Sequence, residues 1–240
     1  MAAKNNYRTP LITILNPLKP SQLPSEEEII AQGKALLEES TTWKAGKLCW
    51  DVVETAYRPK LPGDGAPFHC RISVHTPEEI SFDLLWDKMS RNKPQNEMGF
   101  NREMQKVTLI KELSPTATIW SMFYKFQPPV SNRVFTELQV IHFSEAKPRT
   151  GIVVTIPIDI TSPEDAELAK LEESGVKAKY ACVERVMELP NGNTEWRCAT
   201  SGTAGGSIPD WLVEPTLEKK VAQDVPLFFE WLRKTEGRSA

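Results

Sequence analysis

No apolar run in the chain approaches the eighteen or so residues needed to cross a bilayer, and the N-terminus has no apolar core of the secretion-signal kind. Basic residues are not in excess. Lys and Arg number 29 against 32 Asp and Glu, a net charge of -3, which argues against a nucleic-acid partner because a positive surface supplies most of that affinity. Histidine is scarce at three residues, and His69 and His75, on one face of one predicted strand, would stand roughly 20 Å apart. They cannot share an ion, so no metal site is expected. The four cysteines have no repeated spacing, as expected of free thiols in a reducing compartment and not of a disulfide framework. There is no Gly-x-Ser-x-Gly elbow and no glycine loop continuing into Lys-Ser/Thr, so neither a serine nucleophile nor a nucleotide cofactor is indicated. Repeats and low-complexity segments are absent too. What remains is an ordinary globular composition, 40% hydrophobic and 25% charged over 240 residues, with a cytoplasmic location as the default.

Taken in order, residues 1–23 contain Pro10, Pro17 and Pro20 and are expected to form an irregular arm; 24–236 are expected to form one domain. Ser25-Glu26-Glu27-Glu28 opens a helix with acid in its first turn, where the helix dipole favours it. Strand-like runs cover Leu48–Tyr57 and Phe68–His75, and Thr76-Pro77-Glu78-Glu79 caps a second helix. A short helix over Asn96–Met104 is possible. Lys106–Leu113, Thr116–Phe126, Arg133–Phe143 and Gly151–Ile160 then read as strands, rich in β-branched and aromatic residues. After a helical interlude from Ser162 to Ser174 comes a hairpin, Tyr180–Leu189 and Thr194–Thr203, about an Asn191-Gly192 turn. A two-residue turn there would set Cys182 opposite Ser201 and Cys198 opposite Arg185, leaving both thiols isolated.

The chain closes on Gly205-Gly206-Ser207-Ile208-Pro209-Asp210-Trp211, a sharp turn into a long amphipathic helix of about 40 Å. Trp211, Leu212, Pro215, Ala222, Val225, Phe228, Phe229 and Leu232 mark its apolar face. Pro215 and Pro226 are expected to kink or break it. The fold class is therefore α+β: a curved antiparallel sheet of about eight strands around a long C-terminal helix.

The ordered set Arg71-Ile72-Ser73-Val74-His75, Pro128-Pro129 with Arg133-Val134-Phe135, Tyr180 to Val186, Glu195 to Ser201, Gly205 to Trp211 and Val221 to Trp231 resembles the START (StAR-related lipid transfer) superfamily. More narrowly, it is similar to a fungal branch of START-like proteins without assigned function. The resemblance covers about residues 45–235 and implies a helix-grip fold with an internal tunnel for a sterol, phospholipid, fatty acid or similar molecule.

Within such a fold the walls of core and tunnel coincide. Trp120, Met122 and Tyr124 share one face of a strand, as do Trp196, Cys198 and Thr200, and Leu212, Pro215, Val221 and Phe228 would face them from the helix. In the strand Arg133–Phe143 one face is polar. It either meets solvent or sets Phe135, Glu137 and Gln139 in the tunnel, where a few polar groups orient an apolar ligand. The leading expectation is a carrier of one hydrophobic small molecule (lipid, sterol or polyketide-like) with at most brief peripheral membrane contact. A second is a cyclase-like enzyme using Tyr124, Glu137 or His142 as acid or base. The third is a non-catalytic regulator whose cavity is filled by side chains.

Overall fold

The computed structural model describes the backbone of residues 11–206 and 210–237, with side chains at 12–206 and 217–237. Ten strands form one sheet. They are β1 (Lys44–Cys49), β2 (Val53–Arg58), β3 (Phe68–His75), β4 (Met104–Ser114), β5 (Ala117–Tyr124), β6 (Arg133–Ser144), β7 (Thr150–Pro157), β8 (Val176–Lys177), β9 (Lys179–Glu188) and β10 (Thr194–Thr203). The order is β1-β2-β3-β10-β9-β7-β6-β5-β4, with the short β8 running parallel to the start of β6. Consecutive antiparallel pairing runs from β4 to β10, and β10 then joins β3 across more than a hundred residues of sequence. Two strands exceed the sequence expectation. One is β8. The other arises because Leu48–Tyr57 is not a single strand: Trp50 and Asp51 are both left-handed (φ 51° and 60°), turning the chain into a hairpin of β1 and β2. That turn is built without glycine, and β-turn sequence signals therefore miss it.

Helices cover both faces. On the outer face lie α1 (Leu11–Ile14) and α2 (Glu26–Glu39), whose Ile29, Ile30, Leu36 and Leu37 pack with Ile119, Leu138, Val140, Val154 and Val183. Ser25 caps α2, accepting from Glu28 N at 3.2 Å. The N-terminal segment is tied in by Ile12 and Leu15, both buried in the same core, and by Leu18 bridging to Ile158.

The inner face carries α3 (Phe82–Met89), α4 (Lys93–Phe100) and α6 (Asp210–Glu236), while α5 (Ala166–Ala169) is a single turn beyond β7. Thr76 and Glu79 do exchange hydrogen bonds, yet α3 starts later, capped by Ser81. The helix α4, by contrast, begins three residues before its expected start. Gly205 and Gly206, both left-handed, turn the chain from β10 towards α6. Of the kink or break expected at Pro215 and Pro226 there is no break: α6 is one continuous helix. Its described buried side chains, Ala222, Val225, Phe228 and Leu232, pack with Trp196, Phe100, Val53 and Leu85. This tertiary burial outweighs the hydrogen bond lost at Pro226.

Two measurements follow from α6. Phe228 is fully buried, edge-on to Trp196 (centroids 5.2 Å apart) and to Phe100 (5.8 Å). Phe228→Ala is expected to cost about 3–5 kcal/mol in urea unfolding. Pro226→Ala should move the urea midpoint the other way, because it restores a helical donor at a site where proline costs up to about 3 kcal/mol.

Candidate ligand cavity

Strand periodicity decides which side chains face α6. In β6 Leu138 and Val140 are in the outer core, so by alternation Phe135, Glu137 and Gln139 point inward. Glu137 and Gln139 are only 3% and 4% exposed, so this polar face does not meet solvent. Register sets Trp120 of β5 directly beside Glu137, Met122 beside Phe135, and Thr155 of β7 beside Gln139. From β9 come Tyr180, Cys182 and Glu184; from β3, His69, Arg71, Ser73 and His75.

Two cavities lie between this face and the helices. The inner one, about 260 Å³, is lined by Trp120, Met122, Tyr124, Phe135, Glu137, Gln139, Thr155 and Tyr180 from the sheet. Lys93, Glu97 and Phe100 of α4 and Lys220, Val221 and Asp224 of α6 close it. The outer one, about 550 Å³, is bounded by Val130, Arg133, Thr200 to Ala204, Leu217, Lys220 and Val221. Phe126, Phe135, Tyr180, Lys220 and Val221 border both, so the two chambers share a wall.

Behind the inner cavity sits a buried ion cluster. Glu184 accepts from Arg71 Nη2 at 2.6 Å and from Trp196 Nε1 at 3.3 Å, and its other oxygen is 3.2 Å from Lys93 Nζ. The Arg71 guanidinium lies 4.0 Å over the Trp196 ring. Lys93 also donates to Glu97 at 2.5 Å. Burial alone would raise the Glu184 carboxyl, but Lys93 and Arg71 outweigh it and hold the group below the usual range. Two other cavity carboxyls have no such escort. Burial pushes Glu137 well above the ordinary range, opposed by Lys93 and reinforced by Glu97. Burial likewise lifts Asp224 to about 7, opposed by Arg71 and reinforced by Glu97 and Glu184. Oε1 of Glu137 and Nε1 of Trp120 are buried without a hydrogen-bond partner.

The structure brings together Trp120, Met122, Tyr124, Phe135, Glu137, Gln139 and Val221 in the inner cavity, with Thr200 in the outer one. Trp196, Cys198 and Phe228 line neither; they belong to the packed layer beneath α6 and to the ion cluster's surroundings. The side chains of Leu212 and Pro215 lie outside the described residues. His142 is not with Tyr124 and Glu137. Alternation sends it to the outer face, 3.4 Å from Lys34 Nζ, so the three do not form one acid–base set.

The cysteine expectation also needs correction. Leu189 pairs with Asn193 around a three-residue Pro190-Asn191-Gly192 loop, which shifts the register by one. Cys182 therefore faces Thr200 and Cys198 faces Glu184, and the two thiols meet at 3.3 Å on the inner face. Arg71, Lys93, Glu97, Glu184 and Asp224 were missed as site residues. Asp224 had a signal, since it falls on the helix face shared by Val221, Val225 and Phe228; Arg71 and Glu184 had another, as charges inside otherwise apolar strands.

A sheet gripped by a long C-terminal helix over an internal cavity is the START-like helix-grip fold. The structure resembles the human StarD13 (DLC2) lipid transfer and protein localization domain at 13% identity and a TM-score of 0.61, covering 87% of this chain and 98% of that one. It also resembles human STARD10 (12%, TM-score 0.66, 90% of this chain and 82% of that one) and human StAR-related lipid transfer protein 5 (14%, 0.64, 88% and 100%). In sequence the chain belongs to the family described as "Protein of unknown function (DUF3074)", which matches residues 68–232. It is 24% identical over 222 residues to "Uncharacterized protein C577.11" of the fission yeast Schizosaccharomyces pombe, covering 88% of this chain and 86% of that protein.

The unescorted carboxyls make stability depend on pH. Asp224 rises from an ordinary 3.8 to about 7 on folding, so between those values the native state keeps a proton that the unfolded chain has released. Its contribution is then lost as pH rises through that window, and Glu137 acts in the same sense from 4.5 upward. Asp224→Asn and Glu137→Gln are expected to melt higher than the parent at pH 8 and to match it near pH 4, read by thermal denaturation across pH.

Proposed function

We propose that the protein binds one hydrophobic or amphiphilic small molecule, a lipid or sterol being the class that fits, between the sheet and α6, and shields it from water. The observation that carries this is a pair of adjoining chambers whose exposed walls are mostly apolar, the inner one backed by a cluster of buried charged groups. Burial of apolar ligand surface, at about 25 cal/mol per Å², supplies the driving force, and the polar end fixes orientation. Chambers of this volume also weigh against a regulator whose cavity is filled by its own side chains. Exchange with a membrane would use the rim of the outer chamber, where Val130 is exposed beside Lys179 and Lys220. Contact there is peripheral, as no helix among the described residues is long and apolar enough to cross a membrane. A cyclase-like activity is the second reading, favoured by two cavity carboxyls that burial pushes upward, Glu137 well above the ordinary range and Asp224 to about 7.

Native mass spectrometry of protein purified from its own host, followed by solvent extraction, is the direct test. A single stoichiometric lipid or sterol is expected, displaced in Val221→Trp, which fills the wall common to both chambers. Liposome donor–acceptor assays then test transfer. A polyketide-like passenger altered by the parent and unaltered by Glu137→Gln would instead support the enzyme. Protein that is empty and rejects a lipid panel would sink the carrier.

A further inference from the structure

We infer that the inner chamber is a receptor for an ammonium head group, so that the ligand is a cationic or zwitterionic amphiphile whose positive nitrogen sits beside Glu137 and Asp224. This deepens the cavity reading above and rests on it.

The first support is a charge imbalance. The groups facing the chamber are Lys93 and Glu97 on α4, Glu103 before β4, Glu137 on β6, and Lys220 and Asp224 on α6; Arg71 of β3 and Glu184 of β9 lie behind them. Lys93 is satisfied by Glu97 and Glu184, and Arg71 by Glu184. At the rim, Lys220 and Glu103 are exposed, so solvent screens both charges. Glu137 and Asp224 are the remainder, and among the described residues neither has a salt-bridge partner. Glu137 lines the chamber at only 3% exposure, and its Oε1 is buried without a hydrogen-bond partner. A buried polar atom left without a partner is costly and calls for an explanation. Here an incoming cation provides one.

The second support is the wall. Phe126, Tyr124, Phe135 and Tyr180 form a continuous aromatic chain, with neighbouring centroids 6.4, 5.1 and 6.5 Å apart, and Trp120 and Phe100 complete the lining. Ring faces attract a weakly hydrated organic cation, whereas a metal ion or Na⁺ would have to exchange its water for them. Lys220 Nζ, 5.8 Å from the Phe126 ring, already makes this contact at the rim. The outer chamber, whose exposed wall is mostly apolar despite Arg133, Lys179 and Lys220 at its border, then takes the hydrocarbon chain.

Ligand entry is coupled to proton loss. Without a cation, burial favours the protonated form of Glu137 and lifts Asp224 to about 7. An ammonium group favours both carboxylates, so binding releases protons into solution and strengthens as pH rises through neutrality. A ligand presenting only an acceptor oxygen would do the reverse, since it needs the Glu137 hydroxyl as a donor alongside Trp120 N–H.

Calorimetric titration of the full chain, below micelle concentration, with decyltrimethylammonium and with decyldimethylphosphine oxide separates these cases. The two probes share chain length and head shape, but the second is uncharged and an acceptor. At pH 8 the ammonium probe is expected to bind about tenfold tighter or more. Its advantage should shrink at pH 5.5, and titrations in buffers of different ionisation heat should register protons released. The double variant Glu137→Gln/Asp224→Asn should lose the preference while still binding the phosphine oxide, which also reports that it is folded. Equal binding, or tighter binding of the phosphine oxide, overturns the head-group assignment and leaves the cavity standing. If neither probe binds, the cavity reading falls and this inference with it.

Discussion

The inner half of the molecule depends on the clasp around Glu184. Four elements that are distant in sequence converge on that carboxylate: Arg71 from β3, Lys93 from α4, Trp196 from β10, and β9 itself. An ion cluster this deep contributes little net stability, because desolvation cancels much of its Coulomb energy. What it imposes is position. Arg71 lies on the Trp196 ring, Trp196 meets Phe228, and Phe228 holds α6 against the sheet. Removing a single partner leaves a charge uncompensated in the interior, so the constellation survives only as a whole.

That constraint separates two kinds of acid in one cavity. Glu184 is flanked by cations and stays ionised, whereas Glu137 and Asp224, a few side chains away, share the same low-dielectric surroundings without cations of their own. The difference lies in register. β6 sets Trp120 and Pro157 beside Glu137, neither of which carries charge. The pairing pattern of the sheet thus leaves Glu137 without a charged neighbour on the adjoining strands, while α4 and α6 bring the other charges to the chamber.

Much of the architecture was legible in the residues because it is periodic. β-branched alternation marked the long strands, Ser25 and its acidic followers marked α2, and the apolar spacing from Ala222 to Leu232 marked the helix that closes the sheet. The polar face of β6 was equally visible, but sequence could not say whether it met water, because that depends on α4 and α6 lying over it. Errors arose where tertiary packing overrode a local rule. Pro226 is carried within a continuous helix by the burial of its neighbours, and Trp50-Asp51 makes a left-handed turn without glycine. A one-residue slip at Asn191-Gly192 was enough to misplace both thiols, since side-chain direction inverts with register. The convergence of Arg71, Lys93 and Glu184 was beyond reach. No spacing links residues 71, 93 and 184; the β3–β10–β9 order brings Arg71 to Glu184, and the packing of α4 adds Lys93.

The β3–β10 seam has a further consequence, for how the chain is made. While the polypeptide is being synthesised, β1, β2 and β3 emerge first, and β3 shows its open edge until β10 has been translated more than a hundred residues later. Contacts so remote in sequence must await closure of a very long loop, which slows assembly of the sheet. In that interval an unpaired edge next to the apolar side chains of Phe68, Cys70 and Ile72 is adhesive towards other chains. The sheet is therefore complete only once β10 has docked, and α6, which follows it in the chain, closes over the inner face after that.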